Sequence, residues 1–182
     1  MLTDTPIAYK ITPSDEHHHL GPDYSIKILG LDKSSSLPNP LPNNFEAELL
    51  GREQLDYLVN VKEWLILSNR VIDVILSNNP NWTCHRIPIL IEGKNSNWCL
   101  VAPIERTEAM DFERSDWDLA DEEDDISSPN NVEYIHHLCL RTDVHLPSIF
   151  QIPEDDGIFV NPQTKDLLEA NRIVGVDFEP IL

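Results

Sequence analysis

Carboxylates are the residues of this chain whose spacing could do chemistry. Between Glu105 and Asp125 there are eleven of them against two arginines. Asp111, Glu113, Asp116 and Asp118 come singly, and Asp121, Glu122, Glu123, Asp124 and Asp125 follow without interruption. Paired carboxylates can serve as general acid and base, but the acid needs a dry pocket to raise its pKa, and so dense a run stays hydrated. Calcium is a second chemistry. Asp116, Asp118 and Asp121 start at the spacing of a calcium loop, but the glycine at the sixth position and the bidentate glutamate at the twelfth are missing. Docking is a third: a wet, self-repelling loop offers a basic partner a strong field, with Phe112 and Trp117 as anchors among the charges. A loop that its charge merely keeps solvated fits the same residues.

The other reactive side chains are less organised. His17, His18 and His19 are consecutive, so they cannot all converge on one ion and read as surface decoration. His136 and His137 are neighbours in a strand pattern and point to opposite faces, so they cannot chelate together; His136 reads as packed between Tyr134 and Leu138. Cys84, Cys99 and Cys139 form an odd set without CxxC spacing, each beside apolar, strand-like residues. They read as buried free thiols in a reducing compartment. No phosphate-binding or dinucleotide-binding glycine pattern occurs, and no nucleophile elbow. Nothing here calls for an enzyme, a cofactor or a metal centre.

Charge narrows the partners. Thirty-two acidic residues face thirteen basic ones, a formal charge of -19 over 182 residues. Such a surface repels phosphate backbones and anionic lipid, which excludes nucleic acid and membrane, and steers basic partners inward. Met1-Leu2-Thr3-Asp4-Thr5-Pro6 lacks the basic and apolar regions of a signal peptide, and no apolar run reaches the length of a membrane span. A cytoplasmic protein is expected. The apolar share is ordinary at 41%, and a chain of this length buries roughly 70% of its surface without disulfides or metal.

The elements that must position these residues are legible from periodicity. Ile7 to Ile11 predicts a short strand ended by Pro13, and Tyr24, Ile26 and Ile28 alternate as a half-buried strand. Pro38, Pro40 and Pro42 then force an extended connection across residues 34–44. Trp64 to Leu67 predicts a strand, Ser68 a helix cap, and Val71, Val74 and Ile75 the inward face of the helix. Ile87 to Ile91 follows as a strand. Trp98 to Ala102 and Val132 to Leu140 predict two more, the latter with Val132, Tyr134, His136, Leu138 and Leu140 on one face. Near the end of the chain Ile158 to Val160 reads as a strand, Asn161 as a cap, and Thr164, Leu167 and Leu168 as an inward helical face. Val176 to Leu182 alternates as a last strand.

These last elements echo the earlier ones: Ser68 aligns with Asn161, Val71 with Thr164, Val74 with Leu167, Ile75 with Leu168 and Asn78 with Asn171. Ile87-Pro88-Ile89-Leu90 then answers Glu179-Pro180-Ile181-Leu182. The expected fold class is α+β, a mixed sheet with flanking helices containing two similar strand–helix–strand units. Residues 1–59 read as a loosely built N-terminal region packing on a main domain, 60–182, that carries an acidic insert at 105–128.

Several segments, in order, resemble the immunity protein 11 family of bacterial polymorphic-toxin systems. They are Trp64-Leu65-Ile66-Leu67-Ser68-Asn69-Arg70-Val71-Ile72-Asp73-Val74-Ile75, Ile87-Pro88-Ile89, and Met110-Asp111-Phe112-Glu113-Arg114-Ser115. Ser148-Ile149-Phe150, Gly157-Ile158-Phe159-Val160-Asn161 and Gly175-Val176-Asp177-Phe178-Glu179-Pro180 continue the series, which runs from residue 60 to the end. The insert 116–125 has no counterpart in it. The resemblance implies a cytosolic protein that binds and neutralises a cognate toxin by occlusion, without catalytic residues. The toxin-binding residues expected are Asp111, Glu113, Asp116, Trp117, Asp118, Asp121, Glu122, Glu123, Asp124 and Asp125, facing a basic toxin domain. Two other classes fit the carboxylates: a metal-binding protein or enzyme, and an acidic nucleic-acid mimic.

Overall fold

A computed structural model describes residues 5–14, 26–29, 38–50, 55–58, 64–102, 104–119 and 132–182. Among the described residues the chain is α+β, mostly sheet with two helices, and it divides into two compact units. One comprises Met1–Ile11, Ile104–Lys165 and Phe178–Leu182; the other comprises Thr12–Pro103 and Asp166–Asp177.

The second unit is built on a five-stranded sheet. Its strands are β2 (Ile26–Ile28), β3 (Phe45–Leu49), β4 (Ile66–Ser68), β5 (His85–Ile91) and β6 (Lys94–Ala102), in the order β2-β3-β5-β6-β4. β3 runs parallel to β5, and the other neighbours are antiparallel. Glu92 and Gly93 join β5 to β6, both at positive φ, 53° and 71°, which is the backbone of a tight two-residue hairpin turn. β6 is buried over Trp98, Cys99, Leu100, Val101 and Ala102 without a break, because both of its faces are covered. Trp98, Leu100 and Ala102 join a core with Ile26, Phe45, Leu58, Ile66, Ile87 and Ile89. On the other face Cys99 meets Asn69 of the helix α1 (Asn69–Asn78), its Sγ 3.2 Å from Asn69 Oδ1.

Ser68 caps α1 as its sequence predicts, accepting the Val71 N–H at 3.4 Å. The buried residues of the helix are Val71, Ile72 and Ile75, and Val74 is only half-buried. The expected i, i+3, i+4 face is therefore rotated by one position. The rotation favours the longer side chain: Ile72 completes the apolar stripe and Val74 moves to its margin.

In the first unit β1 (Ala8–Pro13), β7 (Glu105–Arg106), β10 (Ile149–Ile152), β11 (Asp155–Val160) and β12 (Val176–Ile181) form a sheet ordered β12-β1-β11-β10-β7. Ala8, Met110, Leu140, Phe150, Ile152, Phe159 and Ile181 make its core. Phe150 lies opposite Phe159 in register, with the rings stacked 5.6 Å apart. Asn161 caps helix α2 (Pro162–Ala170), its Oδ1 accepting the Thr164 N–H at 2.8 Å, and Thr164 and Leu168 are buried. A separate two-stranded ribbon joins β8 (Asp116–Leu119) to β9 (Val132–His137), antiparallel. None of the described helices is long and apolar enough to cross a membrane.

Two expectations are corrected. The acidic stretch does not form one exposed loop over its described part, because β7 and β8 both lie within it. Its carboxylates Glu105, Glu108, Glu113, Asp116 and Asp118 stay exposed while the adjacent Ala109 and Met110, between the two strands, are buried, and strand pairing is made by backbone groups whatever the side chains carry. In β9 the expected inward face forms only in part: Val132 is buried, as are Leu138 and Leu140 just beyond the strand, but Tyr134 and His136 are not. Tyr134 is 61% exposed, and His136 is exposed and paired with Asp118, because bulges on either side of the Trp117–Asp118 pair reset the alternation. Tyr24, His17, His18, His19 and residues 34–37 of the proline-rich connection lie outside the described residues, as do Asp121, Glu122, Glu123, Asp124 and Asp125.

Candidate functional site

The site grows from the turn that follows Met110. Met110 bridges to Leu140, and Asp111 N donates to Cys139 O at 2.9 Å, so residues 109–111 are laced to residues 139–141. Arg141 N closes the lacing on Ala109 O at 2.8 Å. The Asp111 carboxylate then caps its own turn: Oδ1 accepts the N–H groups of Glu113 at 3.2 Å and Arg114 at 3.3 Å. Such a self-capped Asp turn is a local alternative to regular structure. Ser115 fastens the far end, its Oγ donating to Cys139 O at 3.1 Å and accepting from Cys139 N at 3.0 Å. Asp111 and Ser115 are thus part of the framework, and Glu113 projects outward from it.

Beside this turn opens a cleft of about 480 Å³. Glu108, Asp111, Glu113, Asp143 and Glu154 line it with carboxylates, Arg141 is the one basic residue among the described residues that line it, and Met110, Phe112 and Pro153 supply apolar wall. Arg141 is engaged within the cleft. Its Nη2 donates to Asp143 Oδ2 at 2.9 Å and its Nε to Oδ1 at 3.2 Å, a two-pronged pair between exposed side chains. The hydrogen bond from Arg141 holds the Asp143 carboxyl below the usual carboxylate range, and Asp143 in turn raises Arg141. Four carboxylates remain around that pair, so the cleft is a negative trough.

The ribbon extends the same chemistry. Asp116 and Asp118 are exposed along β8, and the Asp118 carboxylate sits 2.7 Å from His136 Nε2. Trp117 points the other way: it is half-buried, its ring edge-on to Phe112 at 5.4 Å and its Nε1 donating to Phe112 O at 3.3 Å. Phe112, Trp117 and Ile135 all pack on the core of the unit. Of the residues read from sequence as a binding surface, Asp111 and Glu113 meet at the cleft, while Asp116, Trp117 and Asp118 share the ribbon. Asp121, Glu122, Glu123, Asp124 and Asp125 lie outside the described residues.

Asp143, Glu154 and Arg141 were not in that reading. They come from segments far along the chain, Glu154 at the head of the short run Glu154-Asp155-Asp156, and only the fold brings them to Glu108. Among the described residues no group of three or more His, Cys, Asp or Glu side chains is placed to hold a metal ion. The cleft therefore offers charge and shape: it can receive a guanidinium or ammonium group against an apolar wall. Neither the models of known protein families nor the characterised proteins compared with it match this chain.

Proposed function

We propose that this protein is a binding inhibitor of the immunity type, which holds a basic toxin domain in the cytoplasm and covers its active site or substrate channel. The observation that carries this reading is the acidic trough, with five carboxylates against one arginine, next to a ribbon that adds Asp116 and Asp118. With a whole-chain charge of -19, that arrangement favours a basic protein over nucleic acid or membrane. The mechanism is occlusion: the field accelerates encounter, and desolvated charge pairs with apolar wall contacts then hold the complex. Catalysis has no part in it.

The scaffold in this reading is a pair of similar strand–helix–strand units, β4–α1–β5 and β11–α2–β12. The matching caps Ser68 and Asn161 support it, as does one strand lying between the two flanking strands of each unit, β6 in one case and β1 in the other.

The test is protection. A toxin domain encoded beside this gene is expressed alone and together with the chain, and growth is followed. Rescue is expected, together with an isolable complex. A triple variant, Glu108→Gln, Glu113→Gln and Asp143→Asn, is expected to associate about tenfold more slowly at low salt and with a flatter salt dependence. Growth arrest that persists with the chain present, and no complex, would overturn the reading.

A further inference from the structure

We propose that the outward face of the β8–β9 ribbon binds an extended, basic polypeptide segment, with the Tyr134 ring as its platform and Asp118 as its charge partner. This rests on the reading of the protein as a binder of a basic partner and gives it a second contact, separate from the cleft.

Tyr134 and Leu119 are the most exposed large apolar side chains among the described residues, each at 61%, and both belong to this one ribbon. Scattered exposed apolar residues need no explanation, but two on a ribbon of one four-residue and one six-residue strand set it apart from the other described elements. The ribbon cannot relieve that exposure by turning over. Trp117 and Ile135, opposite each other in register, tie its inner face to the core, and the Trp117 indole is hydrogen-bonded to Phe112 O.

The outward face is also arranged in advance. Tyr134 lies opposite Asp118, and His136, two residues further on, sits 4.9 Å from the Tyr134 ring and 2.7 Å from the Asp118 carboxylate. His136 thus contacts both the Tyr134 ring and the Asp118 carboxylate, and Tyr134 stays 61% exposed. Little side-chain freedom is then lost when a ligand lands there.

Chemistry selects the ligand. An aromatic face beside a carboxylate attracts guanidinium and ammonium groups through cation–π and ionic contacts. A second copy of this chain, also at -19, is repelled, and so is a phosphate backbone. The ribbon is a sheet of two strands, so among the described residues each of its outer edges lacks a strand neighbour. An extended segment can add there as a third strand, which sets every second side chain on the Tyr134 face.

The experiment uses the full chain and a fluorescent peptide of alternating arginine and valine, with its citrulline counterpart as control, followed by anisotropy. The arginine peptide is expected to bind about tenfold more tightly than the citrulline one. Tyr134→Ala is expected to weaken binding about tenfold, while Tyr134→Phe keeps it within about twofold. Because Tyr134 is exposed, both variants should melt within about 2 °C of the parent. Equal binding of the two peptides, or Tyr134→Ala binding like the parent, overturns the ribbon. If the peptide results stand while protection from the neighbouring toxin fails, the ribbon survives and the inhibitor reading falls. If protection holds while the peptide arms fail, the toxin is held elsewhere and this inference is wrong.

Discussion

Arg70 engages the Asp56 carboxylate with two guanidinium nitrogens, Nη2 on Oδ2 and Nε on Oδ1. Asp56 is buried, and its other hydrogen bonds make it a junction. Oδ1 accepts Ser68 Oγ at 2.6 Å and Oδ2 accepts Val174 N at 3.1 Å, while Arg70 Nη1 reaches on to Asn171 O at 2.9 Å. One carboxylate therefore ties the N-cap of α1 to the turn that leaves α2. The backbone follows the same route: Ser68 N donates to Asp56 O, and Asp56 N to Val174 O, each at 2.8 Å.

Removing that carboxylate leaves a hydroxyl, a backbone N–H and a guanidinium without their shared acceptor. Asp56→Ala is expected to cost about 3 kcal/mol and to lower the melting temperature by roughly 10 °C. Arg70→Ala should cost less, about 2 kcal/mol, because its side chain is half-exposed and water replaces part of the pair. A double-mutant cycle should show coupling of about 1 kcal/mol between them. Additive losses would mean that the two residues act separately.

The turn around Asp111 should respond to the hydroxyl of Ser115 more than to charge. Ser115→Ala removes both hydrogen bonds with Cys139 and is expected to destabilise by about 1–2 kcal/mol in urea unfolding. Asp111→Asn keeps an oxygen for the Glu113 and Arg114 N–H groups and should cost less than about 0.5 kcal/mol. A larger loss for Asp111→Asn than for Ser115→Ala would show that the carboxylate charge carries the turn.

Asp143 provides a pH signature of the cleft. Arg141 lowers its pKa in the folded protein, so the pair contributes stability above the unfolded carboxylate value of about 3.9. That contribution fades as pH falls through the lower, folded value. Carbon-detected NMR should place the Asp143 midpoint below about 3.9, and Arg141→Gln should return it towards that value. A midpoint that does not move in Arg141→Gln would remove Arg141 as the cause.

The thiols should resist modification. Burial pushes Cys84 and Cys99 up, which keeps them as neutral, poorly nucleophilic thiols at neutral pH. Half-buried Cys84 should alkylate first, with buried Cys99 and Cys139 reacting only on unfolding, as counted by intact-mass spectrometry. The same shift makes stability fall as pH rises past the unfolded thiol value of about 8.5, because the unfolded chain ionises first. Rapid labelling of Cys99 in the native protein would contradict its burial.

Local patterns and tertiary placement can be told apart residue by residue. Ser68 and Asn161 were legible as caps because a cap depends on a side chain and an N–H three residues away. Ile26, Ile28, Trp98 and Leu100 were legible as strand cores because alternation or a continuous apolar run is itself the burial signal. The acidic stretch was legible as wet but not as strands, since strand pairing is made by the backbone and the dense charge hides the short apolar pair Ala109 and Met110 that packs inside. The outward turn of His136 was hidden by bulges, which one strand read by itself does not reveal.

By itself, therefore, the sequence determined composition, charge, the two capped helices and most strands, all of which depend on neighbours within a few residues. It marked Asp111, Glu113, Asp116 and Asp118 as an acidic surface. Only the tertiary structure separated their roles, folding Asp111 into a turn, setting Glu113 at the cleft and pairing Asp118 with His136. The structure also supplied Asp143 and Glu154 to the cleft and made Asp56 a junction. Those placements depend on chain segments that meet far apart in sequence, where no local propensity operates and only packing and hydrogen-bond satisfaction decide.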